Sequence, residues 1–396
     1  MARHQGLVVF VFGAIPGERV VAAVTGVRRQ HALADVVRVL RSSPDRVTPP
    51  CPVYGRCGGC HWQHVAASRQ LVLKREVVVD AIGRTGCPLE GTVVDALPAP
   101  DPFGYRWRGE FHRVDGGDPR LGFTERGGYR RLAVDQCPIH HQAINRALPA
   151  LAAALPPPPP GGAGGGTLHL TVGDEGRELL VEPRPDPTIA PQLVEAASAR
   201  LPDGPRLGTE TTGLRYRELG FRASSQSFIQ VNQGAVPLLY ETVVEWLGPG
   251  GAGHVVDAYA GIGVLSCRLA QVARLVTAVE VNPAAAALCR LHADLNQLGE
   301  RLRVRRGRVE DVLPTLGAVD AIVVDPPRAG LAPPVVGHLA LQGPPVVVYV
   351  SCDPAALARD LHVLCGLGPY RLERLRVVDC FPQTYHVETV GRLLRT

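Results

Sequence analysis

From about residue 224 onward, the sequence alternates segments of helical periodicity with short Val-rich segments typical of buried strands. This alternation predicts a parallel sheet with helices on both faces, which is a doubly wound, Rossmann-like α/β domain. The predicted helices cover residues 235–247, 264–272, 284–298 and 355–364, and the predicted strands cover 254–258, 275–280, 321–325 and 346–350.

The first half of the chain has a different pattern. Short Val-rich runs separated by turn residues predict a small β-barrel before residue 46. A helix at residues 66–82 and further strand-like segments up to residue 180 then predict a central α+β domain. A Pro- and Gly-rich segment at 155–166 is predicted to be a flexible surface loop. We therefore predict three domains, at residues 1–46, 47–222 and 223–396.

Composition limits the class of protein. Apolar residues make up 45% of the chain, but no apolar run approaches the ~20 residues that a membrane helix requires. The N-terminal residues also lack a secretory signal. We therefore predict a cytoplasmic protein. The net charge of +5 permits nucleic-acid binding without requiring it.

A glycine-containing turn follows the first predicted strand of the C-terminal domain. Gly261 and Gly263 allow a sharp turn and a close ligand, and Glu280 ends the next strand, where a carboxylate can accept both ribose hydroxyls. This pattern fits NAD or S-adenosylmethionine. The dinucleotide fingerprint requires a third Gly or Ala where this chain has Ser266, so the methyl donor is favoured.

Three reactive groups follow strand-like segments near the C-terminus. Asp325 begins Asp-Pro-Pro-Arg, Cys352 precedes a predicted helix, and Glu388 lies in an apolar setting. We expect the helix N-terminus to lower the pKa of the Cys352 thiol, and burial to raise the pKa of Glu388. A thiol that adds to pyrimidine C6 makes C5 nucleophilic, and a base such as Glu388 then removes the C5 proton. The alternatives are a buried core cysteine and a structural ion pair.

The chain contains ten cysteines, and three of them fall within ten residues, at Cys51, Cys57 and Cys60. Cytosolic thiols are normally reduced, so this spacing indicates a metal or cluster site.

With these motifs the chain resembles the RNA uracil-C5 methyltransferase family, in particular its 23S rRNA branch, which has a TRAM domain and an iron–sulfur cluster. The resemblance extends over nearly the whole chain. Its further motifs are Ser-Phe-Ile-Gln-Val-Asn at 227–232, Ser-Cys-Asp-Pro at 351–354 and His-Val-Glu at 386–388.

The resemblance implies that Cys352 is the nucleophile and Glu388 the base. It implies that S-adenosylmethionine contacts Gln230, Tyr259, Glu280 and Asp325, beside the turn at Gly261 and Gly263, and that Phe228 stacks on the flipped uracil. The N-terminal unit would be the TRAM domain, an OB-like barrel that binds RNA. The expected substrate is 23S rRNA, with tRNA as the alternative, and the expected state is a monomer without an obligate protein partner.

The resemblance also implies a [4Fe–4S] cluster, whose fourth ligand is Cys137; Cys87 is the alternative from the sequence alone. Zinc is the alternative metal. The family usually has Asp or Asn where this chain has Arg308, so Glu310 or Asp311 is expected to take over that contact with the adenine region. The chain also starts close to its first strand, so the barrel is expected to lack an edge.

Two other functions remain open. An NAD-linked redox enzyme would use the glycine turn and the cysteines, but it would leave Cys352 and Glu388 without a role. An inactive RNA-binding iron–sulfur protein would not need Cys352 either.

Overall fold

The computed structural model describes residues 2–114, 120–156, 166–224, 226–248 and 253–396. Most of the segment predicted as a flexible loop, 155–166, lies outside the described residues. Within the described residues, no helix is both long enough and apolar enough to cross a membrane.

The N-terminal unit is a four-stranded sheet with the order β1-β2-β4-β3. Its strands are β1 Ala2–His4, β2 Leu7–Phe12, β3 Arg19–Val27 and β4 His31–Arg41. The predicted strands are therefore present. Within residues 2–41 the edge strands β1 and β3 do not pair with each other, so the hydrogen bonds do not close this sheet into the predicted barrel.

The central unit is a six-stranded sheet with the order β11-β10-β9-β6-β7-β8. Apolar residues at helical spacing in α2, including Ile144, Leu148 and Leu151, pack against Leu168 and Leu170 of the sheet. The elements are β6 Arg108–Val114, β7 Arg120–Thr124, β8 Arg131–Ala133, α2 Gln142–Ala154, β9 Thr167–Gly173, β10 Glu178–Arg184, α3 Ala190–Ser198 and β11 Arg206–Gly208. A hairpin of β12 Thr211–Tyr216 and β13 Leu219–Ser224 follows.

The C-terminal unit is an eight-stranded sheet with the order β16-β15-β14-β17-β18-β20-β19-β5. Its first five strands are parallel, which confirms the predicted doubly wound arrangement, and β20 pairs antiparallel with β18. The strands are β14 His254–Ala258, β15 Leu275–Glu280, β16 Leu302–Arg306, β17 Ala321–Val324, β18 Val346–Ser351, β19 Tyr370–Val378 and β20 Glu388–Arg395. The helices are α4 Val236–Leu247, α5 Val264–Val272, α6 Pro283–Leu295, α7 Val309–Val312, α8 Pro333–Gln342 and α9 Pro354–Leu361.

Two elements from the predicted central range, 47–222, are part of the C-terminal unit instead: a helix that packs against its sheet and a strand that joins the sheet. They are α1 Ala67–Gly83 and β5 Val93–Leu97. β5 is parallel to β19, with Val93 opposite Arg374 and Leu97 opposite Val378. Val78 of α1 is fully buried in the same core as Leu375. The predicted boundary was therefore wrong for these residues, because the partner strand lies far along the chain.

Candidate active site and cysteine-lined cavity

The predicted reactive residues meet at the carboxyl edge of the C-terminal sheet. β14, β17 and β18 are adjacent and parallel, and they end at Ala258, Val324 and Ser351. The turns that follow carry the glycine turn, Asp325 and Cys352. Open α/β sheets bind their ligands at this edge.

The glycine turn has the strained backbone that the sequence predicts. Tyr259, Gly261 and Gly263 all have positive φ, at 68°, 56° and 86°. At Gly263 a Cβ atom would lie 2.4 Å from the sulfur of Cys289, so this position can only be glycine. The backbone N–H of Tyr259 donates to the carbonyl of Val279 in the neighbouring strand, at 3.0 Å, which fixes the start of the turn.

Glu280 joins this turn to the next strand. One carboxylate oxygen accepts from Gly261 N at 2.8 Å, and the other accepts from Asn282 N at 2.7 Å. Glu280 and Tyr259 line a cavity of about 850 Å³, a size in the range of small-ligand pockets. Gln230, Gly261, Gly263 and Asp325, which were also predicted to contact the cofactor, are not among the residues that line this cavity.

Arg308 and Glu310 lie on the wall of the same cavity. The Arg308 guanidinium is mostly exposed and lies 2.6 Å from the Glu310 carboxylate. A hydrogen bond from its own backbone and the Arg308 contact lower the pKa of Glu310, so its carboxylate is ionised. Asp311 is not among the residues that line the cavity, so of the two expected substitutes only Glu310 is in place.

Cys352 lies between β18 and α9. The next residue, Asp353, is the N-cap of α9, and its carboxylate accepts from Ala355 N at 3.0 Å and from Ala356 N at 2.9 Å. The first amides of the helix therefore already have an anionic partner. The N-terminus of α9 therefore stabilises a Cys352 thiolate less than the sequence suggested.

The pKa of Cys352 is raised to about 11, which contradicts the predicted decrease. Burial is the largest cause, followed by the negative charges of Glu388 and Asp325, while Arg328 opposes them. Desolvation and like charge both disfavour the thiolate, and here they outweigh the helix N-terminus.

Glu388 is the first residue of β20 and is 3% exposed. Ser351 pairs with Thr389, so Cys352 and Glu388 are the next residues along the two antiparallel strands. Burial and the charge of Asp325 raise the pKa of Glu388 well above its usual value, as predicted. A thiol and a protonatable carboxyl thus lie side by side at the sheet edge.

A second buried carboxyl lies beside Asp325. Asp257, in β14, is 1% exposed and accepts a hydrogen bond from the Ser266 hydroxyl. Burial raises the pKa of Asp257 to about 7, and burial together with Asp257 raises that of Asp325 to about 7. Asp257 was not among the predicted site residues, although its place near the end of the strand before the glycine turn was a usable signal.

The segment that contains Phe228 and Gln230 lies between β13 and α4 and contacts both the central and the C-terminal unit. Trp107 N donates to the carbonyl of Val231 at 2.8 Å, and the Asn232 side chain donates to the carbonyl of Cys380 at 3.1 Å. Phe228 is 71% exposed, so its ring is available to stack on a base.

The four cysteines predicted to bind a cluster line one cavity of about 210 Å³: Cys51, Cys57, Cys60 and Cys137. The alternative ligand, Cys87, is buried elsewhere and contacts Cys365 in the core of the C-terminal unit. In the described part of the chain, no group of three or more His, Cys, Asp or Glu side chains could hold a metal ion.

Comparison with known proteins identifies similar sequences. A family model described as tRNA (Uracil-5-)-methyltransferase matches residues 208–396. An uncharacterized RNA methyltransferase from Thermosynechococcus vestitus is 34% identical, and the alignment covers 99% of this chain and 94% of the relative. The 23S rRNA (uracil(1939)-C(5))-methyltransferase RlmD of Shewanella amazonensis is 33% identical, with 98% and 91% covered.

A similar fold is found in the tRNA (uracil-54, C5)-methyltransferase of Pyrococcus abyssi, solved in complex with S-adenosyl-L-homocysteine. The TM-score is 0.75 at 24% identity, and the match covers 98% of this chain and 95% of the other.

Proposed function

Because the chain belongs to the tRNA (uracil-5-)-methyltransferase family, we propose that it methylates C5 of a uridine in 23S rRNA, with S-adenosylmethionine as the methyl donor. The observation that carries the proposal is the position of Cys352 next to Glu388 across the β18–β20 ladder. Uracil C5 is a poor nucleophile, and a thiol beside a carboxyl is the pair that can activate it and later restore the ring.

In the first step, the Cys352 thiol must lose its proton. With a pKa of about 11 the thiol is mostly protonated near neutral pH, so the site needs a proton acceptor. Asp325 is proposed as the acceptor, because burial and Asp257 raise its pKa and its charge acts on Cys352. The thiolate then forms a bond to C6 of the uracil, and the electron pair of the C5–C6 double bond becomes available at C5.

When bound, S-adenosylmethionine would supply an electrophilic sulfonium methyl to C5, with the S–CH3 bond breaking and its electron pair staying on the sulfur of the S-adenosylhomocysteine product. Glu388, as its carboxylate, then takes the proton from C5. The electrons of that C–H bond re-form the C5–C6 double bond, the C6–S bond breaks, and its electron pair returns to the sulfur of Cys352. A raised pKa makes Glu388 a stronger base once it is ionised.

The choice of 23S rRNA over tRNA is supported by two features. The relative named as a 23S rRNA methyltransferase is 33% identical across 98% of this chain, whereas the tRNA enzyme of known structure is 24% identical and supports the fold alone. The second feature is the cavity lined by Cys51, Cys57, Cys60 and Cys137, because the resemblance implies a cluster in the rRNA branch of the family.

The proposed function is tested by a methyl-transfer assay. Labelled S-adenosylmethionine is supplied with unmodified bulk rRNA and, separately, with tRNA, and the nucleosides are analysed. We expect label in 5-methyluridine from rRNA. Label in tRNA alone would keep the chemistry and change the substrate. No label in either RNA, from protein prepared without oxygen and loaded with iron and sulfide, would favour the inactive RNA-binding alternative.

Cys51, Cys57, Cys60 and Cys137 are proposed to bind a [4Fe–4S] cluster, which uses four thiolates. The support for this proposal is that all four line one small cavity, although the described side chains are not arranged as a metal-binding group. Two of them are also held locally: Gly59 N donates to the sulfur of Cys57 at 3.4 Å, and the Asn145 side chain accepts from Cys137 N at 2.8 Å. The cluster would stabilise the segment that carries these cysteines, since methyl transfer needs no electron.

Replacing Cys137 by Ser is expected to remove most of the bound iron and acid-labile sulfide, because three thiolates remain for four positions. Cys87→Ser is the matched control, since Cys87 is also buried but lies away from this cavity. Iron and sulfide per polypeptide are measured after anaerobic loading. Equal loss in both variants, or no loss in the Cys137 variant, would contradict the ligand assignment.

The N-terminal sheet is proposed to be the TRAM unit and to contact RNA. Its exposed surface combines apolar side chains such as Val24 and Val37 with Arg19 and Arg38. Apolar contacts and guanidinium groups together suit single-stranded RNA.

A further inference from the structure

The nine residues 379–387, here called the base turn, connect β19 to the strand that begins at Glu388. We propose that Lys74 and Gln70 of α1 are positioning residues that hold the base turn, and through it Glu388, in place for proton removal. The inference rests on the proposed function, since it concerns the step assigned to Glu388.

Lys74 is the only lysine of the chain, and its side chain is fully buried. Its Nζ donates to the Asp379 carboxylate at 2.6 Å and to the carbonyl of Phe381 at 2.9 Å. The ammonium group thus contacts two points of the base turn at once. A buried ion pair is a weak source of stability because both charges are desolvated, but it strongly restricts which arrangement can form.

Gln70, one helical turn before Lys74, makes a reciprocal pair with Gln383. Its Nε2 donates to Gln383 Oε1 at 3.0 Å, and Gln383 N donates to Gln70 Oε1 at 2.8 Å. Gln383 has a positive φ of 68°, an unfavourable conformation that its surroundings must hold. The N–H groups of His61 and Trp62, just after Cys60, also donate to the carbonyl of Gln383, both at 2.9 Å.

The base turn has hydrogen bonds of its own, from the Thr384 hydroxyl to the carbonyl of Phe381 at 2.8 Å and from His386 N to the Thr384 hydroxyl at 3.2 Å. Its contacts with Lys74 and Gln70 fix this locally folded turn against α1. It spans the gap between the end of β19, at Val378, and Glu388. A change in its shape would move Glu388 along or away from Cys352. Displacements of about 1 Å can cost about 10²-fold in rate when a reacting group must be aligned.

The positioning role of Lys74 predicts a result that a mere loss of fold stability would not produce. Glu388 acts after the methyl group has been transferred, so a displaced Glu388 leaves the uracil bonded to Cys352. Lys74→Met is therefore expected to lower kcat about 10²-fold, with little change in KM for RNA, and to accumulate a covalent protein–RNA adduct. The adduct is measured by denaturing electrophoresis, with the RNA that the unmodified protein methylates.

Four further variants complete the experiment. Lys74→Met with Asp379→Asn leaves no unpaired buried charge and is expected to fold and to accumulate the same adduct. Val78→Ala, on the same helix and fully buried, is the matched control; it is expected to lower Tm without accumulating adduct. Glu388→Gln is the reference for the highest adduct level, and Cys352→Ala, which has no thiol to form the adduct, is the reference for no adduct.

If Glu388→Gln accumulates adduct but both Lys74 variants turn over normally, the positioning role is wrong and the proposed function stands. Loss of methylation and adduct together in the folded double variant would also overturn the positioning role. If Glu388→Gln itself gives no adduct, the covalent mechanism fails, and this inference fails with it.

Discussion

Cys352→Ala is expected to reduce uridine methylation by roughly 10⁶-fold, the scale seen when an enzyme loses its nucleophile. Without the sulfur, nothing on the described sheet edge can add to C6, and C5 stays unreactive. RNA binding should persist, because the Cys352 side chain is small, half-buried and lies between β18 and α9. Methyl transfer from labelled S-adenosylmethionine and RNA retention on a filter measure the two properties separately.

Cys267→Ala is the control for the loss of a thiol. Cys267 is fully buried in α5 and is proposed to have no part in the reaction, so this variant should keep methylation. Persistent methylation by the Cys352 variant would overturn the covalent mechanism. Loss of RNA binding in that variant would show that Cys352 also supports the fold.

Glu388→Gln is expected to slow turnover by about 10²–10⁴-fold, the usual contribution of a general base. The amide keeps the shape of the side chain but cannot accept the C5 proton. Addition and methyl transfer should still occur once, so one methyl group per active site should remain attached, in a covalent complex between the protein and RNA. Single-turnover methyl transfer and denaturing electrophoresis measure these two results.

The matched control is Glu195→Gln, an exposed carboxylate on α3 in the central unit. It should behave as the unmodified protein in both assays. A Glu388 variant that completes many turnovers at the normal rate would assign proton removal to another group, and Asp325 would then be the first to test.

Much of the C-terminal fold could be predicted because its signals are local. The strand at His254–Ala258 and the helix at Val264–Val272 have the predicted limits, since each has a clear period and borders the glycine turn. The pairing of β5 with β19 could not be predicted. A short strand of this kind has the same local pattern whichever sheet it joins.

The candidate site likewise has some features that the sequence predicts and others that it does not. The positions of Cys352 and Glu388 follow from strand ends, which a sequence reveals. The pKa of Cys352 cannot be predicted from the sequence, because it depends on two carboxyls that only the folded sheet brings near the thiol. Only the folded structure shows that Cys137 lines the same cavity as Cys51, Cys57 and Cys60, whereas Cys87 lies in the core of the C-terminal unit.

The pairing of β5 with β19 also affects the order of folding during synthesis. Thr92, just before β5, bonds to Leu372 in β19, and 280 positions separate them in sequence. A chain emerging from the ribosome therefore presents α1 and β5 long before their partner exists. Until then the apolar face of α1 must stay exposed or be shielded by other contacts. During synthesis, α1 and β5 should therefore need protection by chaperones more than the central unit does, because the strands of the central sheet lie close together in the sequence.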